Sequence, residues 1–227
     1  MGQPQHLHLP LPPHPPLPRQ FQLPSLYAIL DTQVAAHPIE TAEALLRGGI
    51  KLLQYRHKGP LTRKRWEECS QVADFSRKSG ALFIVNDRLD LALMTNADGV
   101  HLGQDDIPPE AARKLLGPGK IIGVSTHHPA QTAAADASPA KVDYIAIGPV
   151  FETRSKADPD AVVGLNGVSA ARRATSKPLV AIGGITRETA VSVIGAGADS
   201  MAVIRDLLTA KDVEASAREF VELLARS

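Results

Sequence analysis

The sequence predicts an α/β fold: a single (β/α)8 TIM barrel behind a disordered, Pro-rich N-terminal extension. Three observations carry that expectation. Short apolar, β-branched runs recur eight times after residue 24. Helix-like stretches separate them, which implies βαβ crossovers and a parallel sheet. The chain has 227 residues, and a barrel of this class needs roughly 200–250. An open doubly wound sheet would use about six or seven such strands, but no Gly-x-Gly-x-x-Gly follows the first run, which disfavours it.

Residues 1–24 hold eight of the 18 prolines and three of the eight histidines. Proline lacks a backbone donor and favours extended polyproline II, so this stretch builds neither helix nor ladder. It shows neither a signal-peptide pattern nor the Arg/Ser-rich look of a transit peptide. His6, His8 and His14 read as tail composition rather than a metal site. The expectation is a flexible tail over residues 1–24, dispensable for activity, and one catalytic domain over 25–227.

In that domain the strand-like runs are Ser25–Leu30, Lys51–Gln54, Leu82–Val85, Gly99–Leu102, Ile121–Val124, Tyr144–Ile147, Leu179–Ile182 and Met201–Ile204. Apolar runs of this length bounded by Gly, Pro, Asn and Asp read as strands buried on both faces. Ile39–Leu46, Trp66–Lys78, Pro109–Leu116 and Ala190–Ile194 read as intervening helices. Val213, Ala217, Phe220 and Leu224 fall at helical spacing and give a last helix that closes the barrel.

Charge and cysteine content exclude several function classes. The 25 Lys+Arg against 24 Asp+Glu leave a net charge of +1, which is no footprint for nucleic acid or an anionic membrane. No apolar run approaches the ~20 residues of a membrane helix. A single cysteine, Cys69, excludes an intramolecular disulfide and any multi-Cys metal site. A cytoplasmic protein acting on small molecules is expected; a homo-oligomer is compatible with the sequence but not specified by it.

Chemistry in a parallel barrel gathers at the C-terminal ends of the strands. The second run ends in Gln54-Tyr55-Arg56-His57-Lys58; if the chain stays extended, Gln54, Arg56 and Lys58 share a side. Two cations there suit a polyanion such as pyrophosphate, though a solvated basic loop reads equally well. The third run ends in Asn86-Asp87-Arg88 and the fourth in Gly103-Gln104-Asp105-Asp106. Carboxylates on consecutive strand ends suit Mg²⁺ with most of its waters retained. The alternatives are that Asp87 caps the stretch holding Leu89, Leu91 and Leu93, and that Asp105 and Asp106 form a cap or turn before Pro108-Pro109. His101 reads as a structural strand-end histidine.

Ser125, in Gly123-Val124-Ser125, either donates to a phosphate or caps the helix beginning near Pro129. No Gly-x-Ser-x-Gly elbow surrounds it, so a nucleophile is disfavoured. The segment Gly148-Pro149 through Thr153, Arg154, Ser155 and Lys156 reads as a lid over an anion or as an exposed loop. Gly183-Gly184 after the seventh run and Ile204-Arg205 after the eighth match the recurrent barrel phosphate cup. Arg205 either adds charge there or pairs with Asp206 or a helix carboxylate.

On these residues the chain resembles the thiamine-phosphate synthase (thiamine-phosphate pyrophosphorylase) family. The motifs are Gln54-x-Arg56-x-Lys58, Asn86-Asp87-Arg88, Gly99 to Gln104 with Asp106, Gly123-Val124-Ser125, Gly148-Pro149 with Thr153-x-Ser155-Lys156, and Ala181 to Ile185. They lie in family order over residues 25–225. The resemblance implies a transferase of thiamine biosynthesis. Its reaction joins 4-amino-5-hydroxymethyl-2-methylpyrimidine diphosphate to 4-methyl-5-(2-phosphoethyl)thiazole, or its carboxylated form, giving thiamine phosphate and pyrophosphate. It also implies roles. Gln54, Arg56, Lys58, Asn86, Ser125 and Lys156 would hold the pyrimidine diphosphate, with Arg56, Lys58, Lys156 and Ser125 assisting its departure. Asp87 and Asp106 would bind Mg²⁺, and Thr153, Ser155, Gly184, Ile204 and Arg205 would surround the thiazole phosphate. This chain departs from the family where many members have Ser at the position of Arg205, and, more mildly, Thr at that of Ser155. A related tautomerase branch would use His127 or His128 as acid/base, and a non-catalytic precursor-sensing barrel would keep the Gly184 cup. Neither needs the pyrophosphate and metal residues present here.

Overall fold

The computed structural model describes residues 22–153 and 160–226. Eight parallel strands close in sequence order into one barrel. They are β1 (Leu26–Asp31), β2 (Leu52–Arg56), β3 (Leu82–Asn86), β4 (Gly99–Leu102), β5 (Ile121–Thr126), β6 (Tyr144–Ile147), β7 (Leu179–Ile182) and β8 (Ser200–Val203). Closure is made by β8 against β1, with Ala28 beside Val203. The strands therefore fall where the sequence places them. The main differences are at ends that face the mouth: β1, β2, β3 and β5 run on into Asp31, Arg56, Asn86 and Thr126, polar residues whose backbone still pairs with its neighbours, while β8 ends before Ile204.

The helices are α1 (Pro38–Arg47), α2 (Arg63–Lys78), α3 (Leu89–Met94), α4 (Pro109–Leu116), α5 (Pro129–Asp136), α6 (Gly164–Ala174), α7 (Arg187–Gly195), α8 (Arg205–Leu208) and α9 (Val213–Ala225). Local chemistry sets their starts. Proline opens α1, α4 and α5, where its missing N–H costs nothing. Thr62 and Asp212 cap α2 and α9, and Thr186 with Thr189 forms a capping box on α7.

Period-2 alternation sorts each strand into two cores. Outward residues such as Leu53, Val85, Leu102, Val124, Ile147 and Val203 pack beneath the helices in the larger apolar cluster. Inward residues fill the barrel: Tyr27, Ile29, Leu52, Ile84, Ile121, Tyr144, Ala146, Val180 and Ala202. Leu23, which the sequence places in the tail, packs against this inner cluster. Residues 1–21 of that tail lie outside the described residues.

The end of the barrel opposite the mouth is held by a repeated clamp. Asp98, Asp143 and Asp199 each precede an even-numbered strand. Their backbone N–H groups donate to the carbonyls of Phe83, Ile122 and Leu179 at 2.8, 2.8 and 2.9 Å. Their carboxylates accept from the N–H of those same three residues at 2.7, 2.8 and 2.8 Å. Arg113 ion-pairs with Asp143, and Arg172 with Asp199. Register is thus fixed at one end, which leaves the other free to carry irregular, polar loops.

Candidate active site

The strand ends enclose a cavity of about 790 Å³. Its lining includes Gln54, Arg56, Lys58, Asn86, Asp87, Asp106, Ser125, Thr153, Gly184, Ile204 and Arg205. Every described residue that the family resemblance assigns to the substrates or the metal therefore opens on one space. Ser155 and Lys156 lie outside the described residues.

On the side of β2 to β4, cations and carboxylates interlock. Arg56 pairs with Asp31, the buried last residue of β1. The sequence reading stopped at Leu30 and missed this partner, although an aspartate directly after an apolar run was the available signal. Asp31 pins the guanidinium at the mouth and also accepts from Gln33 N–H at 2.9 Å. Lys58 Nζ donates to Asp87 Oδ2 at 2.5 Å. Asp87 takes the left-handed backbone (φ 59°), and the first cap position of α3 belongs to Arg88, so Asp87 is not a helix cap. Its N–H donates to His101 O at 2.8 Å, which ties this turn to β4.

Asp106 is not a helix cap either, since Pro108 holds the N-cap position of α4. It braces its own turn, accepting Gly103 N–H at 2.7 Å. Burial, and then the adjacent Asp87 carboxyl, hold the Asp106 carboxyl above its ordinary range. Two carboxyls crowded in this way fit a divalent cation, which would relieve their repulsion. No cluster of three or more His, Cys, Asp or Glu able to hold a metal occurs among the described residues. A metal here would keep waters or substrate oxygens in its remaining positions, the habit of Mg²⁺. Beside them Asn86 Nδ2 is buried with no hydrogen-bond partner, a donor whose orphaned state suits an incoming oxygen acceptor.

The floor of the cavity is polar where such barrels usually hold Val, Ile and Leu. Gln54 Nε2 donates to Tyr27 OH at 2.7 Å, and Tyr27 OH meets Tyr144 OH at 2.9 Å. Tyr144 OH meets His101 Nδ1 at 3.0 Å, and His101 Nε2 meets Ser125 Oγ at 2.8 Å. The five residues sit on β2, β1, β6, β4 and β5 and cross the barrel. Gly123 is required beneath them, because a Cβ there would run into the Tyr144 ring. Burial pushes His101 down to about 4, so the imidazole is neutral, and it stacks on Tyr144 with centroids 5.5 Å apart. His101 is thus a buried strand histidine, as the sequence suggests. Ser125 does not cap α5; His128 does, weakly, accepting Gln131 N–H at 3.4 Å. Sequence reading missed Tyr27 and Tyr144 as site residues, since each looks apolar within its run.

Across the cavity, Gly183 and Gly184 both have positive φ, 104° and 63°. A Cβ on Gly184 would lie 2.8 Å from Phe151 Cβ and also collide with Glu152 O. These glycines therefore let the loop after β6 close onto the loop after β7, with Phe151 N–H donating to Gly183 O at 3.0 Å. Ile204 and Arg205 adjoin them in the lining. Asp206 faces Arg187, at 3.8 Å, and accepts its N–H at 3.2 Å. Arg205 is exposed and has no ion-pair partner among the described residues. His127 also lines the cavity, with Nδ1 2.7 Å from Gly148 O and Nε2 3.5 Å from Asp160.

Residues 26–207 match the family described as thiamine monophosphate synthase. The chain is 48% identical over 212 residues to the thiamine-phosphate synthase of Koribacter versatilis, covering 90% of this chain and 97% of that one. It is 42% identical over 188 residues to the thiamine-phosphate synthase of Pelotomaculum thermopropionicum, covering 83% and 85%. Among solved structures, the thiamine phosphate pyrophosphorylase of Pyrococcus furiosus superposes with a TM-score of 0.80 at 33% identity, covering 89% of this chain and 96% of that one.

Proposed function

The chain belongs to the thiamine monophosphate synthase family, whose members are transferases, and on that premise we propose the substrates, site roles and metal of its reaction. The pyrimidine diphosphate lies on the β2–β5 side, and the thiazole phosphate sits in the cup of Gly184, Ile204 and Arg205. The observation that carries this reading is the arrangement of the cavity. A cation pair and two adjacent carboxylates stand on one side, and a glycine turn stands on the other.

The chemistry asked of the protein is departure of a leaving group. The bond between the pyrimidine methylene carbon and the diphosphate oxygen breaks, and diphosphate takes the electron pair. The ring amino group delocalises the resulting cation, and the thiazole nitrogen then forms the new carbon–nitrogen bond. Arg56 stabilises the leaving charge from a position fixed by Asp31. Lys58 is held by Asp87 in the free protein and turns to a diphosphate oxygen when substrate arrives. Asn86 supplies its unpaired Nδ2 to the same group, and Ser125 donates from β5. Asp87 and Asp106 are the side chains that would hold Mg²⁺, which when bound supplies Lewis-acid charge to the diphosphate. No protein nucleophile or general base is needed; what matters is alignment of the two rings and exclusion of water. Lys156, Ser155 and Thr153 would cover the anions from the loop after β6. No helix of the described residues is long and apolar enough to cross a membrane, and a cytoplasmic setting suits phosphorylated substrates.

The test is a coupling assay with both substrates and Mg²⁺, read as thiamine phosphate, with Asp87→Ala alongside. Product that requires both substrates and the metal and collapses in the variant supports the reading. A folded wild-type protein that binds the thiazole phosphate yet makes no product would overturn it.

A further inference from the structure

The five-residue chain on the barrel floor has a direction. Each phenol carries one proton and each neutral imidazole one N–H. Gln54 Nε2 donates to Tyr27 OH, so the Tyr27 proton goes on to Tyr144, and the Tyr144 proton to His101 Nδ1. With Nδ1 an acceptor, the imidazole proton sits on Nε2 and points at Ser125 Oγ. The Ser125 proton is then free to face the cavity. Were the chain reversed while Gln54 kept its orientation, Tyr27 OH would accept twice and its own buried proton would have no acceptor among the described residues. Leaving a buried donor unpaired costs more than any one of these bonds contributes.

We infer that Gln54, acting through Tyr27, Tyr144 and His101 as positioning residues, makes Ser125 a hydrogen-bond donor toward the bound substrate. This rests on the reading above that Ser125 contacts the pyrimidine diphosphate. It goes further by coupling Gln54 and Ser125 into one unit across the barrel. Hydrogen bonds in a chain polarise one another, so both ends respond to a change at either. A substrate acceptor at Ser125 is therefore favoured only while the amide at Gln54 presents its NH₂ to Tyr27.

The test reads the His101 tautomer by ¹⁵N NMR in the full chain without substrates, the signal being assigned by its loss in His101→Gln. The wild-type protein is expected to carry the proton on Nε2; a proton on Nδ1 overturns the inference and needs no variant. Gln54→Glu puts an acceptor against Tyr27, reverses the chain and moves the proton to Nδ1. The double variant Gln54→Glu, Tyr27→Phe cuts the connection and returns it to Nε2. A merely structural role for Gln54 would leave the His101 tautomer unmoved in all three, and that result also overturns the inference. In turnover, Ser125→Ala is expected to cost about tenfold in the wild-type background and under about twofold in the Gln54→Glu background. With the tautomer shifts as expected, a negligible cost of Ser125→Ala in both backgrounds would place the failure in the assignment of Ser125 to substrate, whereas a cost of about tenfold in both would overturn the coupling of Gln54 to Ser125.

Discussion

Removing the Lys58 amine should strengthen metal binding while weakening catalysis. In the free protein Lys58 Nζ lies 2.5 Å from Asp87 Oδ2, on one of the two carboxylates that would hold a metal. The pair is half in solvent, with 46% of the Lys58 side chain exposed, so the attraction is taken at the dielectric of water. Two unit charges at that separation attract by about 1.7 kcal/mol, and exposed pairs retain at most ~1 kcal/mol after side-chain ordering. Lys58→Met frees Asp87 of that competitor. The Mg²⁺ affinity of the substrate-free protein should then rise by up to about fivefold. Turnover should fall by about two orders of magnitude, as when one charge-stabilising donor to a leaving group is lost. Calorimetric titration with Mg²⁺ measures the first effect, and initial rates at saturating metal the second. Metal binding unchanged or weakened in a folded Lys58→Met protein would refute the idea that Lys58 neutralises the carboxylates until substrate arrives.

Three further outcomes follow from particular contacts. Gly184→Ala puts a Cβ where the backbone is left-handed and Phe151 already stands at 2.8 Å. It should cost ~1–2 kcal/mol from the backbone alone, with a raised KM for the thiazole phosphate, measured by melting and steady-state kinetics; an unchanged melt would show that the two loops part freely. Asp143→Ala removes the carboxylate clamp on Ile122 N–H and the partner of Arg113. We expect a loss of ~2–3 kcal/mol, a drop of about 4–12 °C in Tm, and an unaltered kcat, since the clamp lies at the far end of the barrel. The Asp106 carboxyl, raised by burial and by Asp87, holds its proton more tightly folded than unfolded. Metal-free stability therefore declines as pH rises from the ordinary aspartate range through the raised value. Asp106→Asn should raise the Tm of the metal-free protein at neutral pH and abolish its stabilisation by Mg²⁺; a lower Tm in chelator would contradict this.

Much of this protein is legible in one dimension because its physics is local. An apolar run of four to six residues must be buried on both faces, and eight of them alternating with amphipathic stretches leave few closed arrangements. Hence β4, β6 and β7 coincide with the runs that predict them. Residues at strand ends were readable for the same reason: alternation alone sends Gln54, Arg56 and Lys58 to one side, and all three line the cavity.

Which of those polar groups meet emerges only on folding, because a partner thirty or a hundred residues away leaves no periodic trace. Asp31 reaches Arg56 only because β1 and β2 are neighbours in register. Tyr27 and Tyr144 stand 117 residues apart, and each reads along the chain as an apolar strand residue until closure of the barrel brings their hydroxyls together. Local sequence likewise left Asp87 between a helix cap and a ligand; its left-handed backbone, with Arg88 in the cap position, removed the first alternative. Residue order alone specifies the barrel, its mouth and the kinds of charge that gather there. Pairing across the barrel was decided only by closure, since hydrogen bonds and ion pairs depend on distances in space.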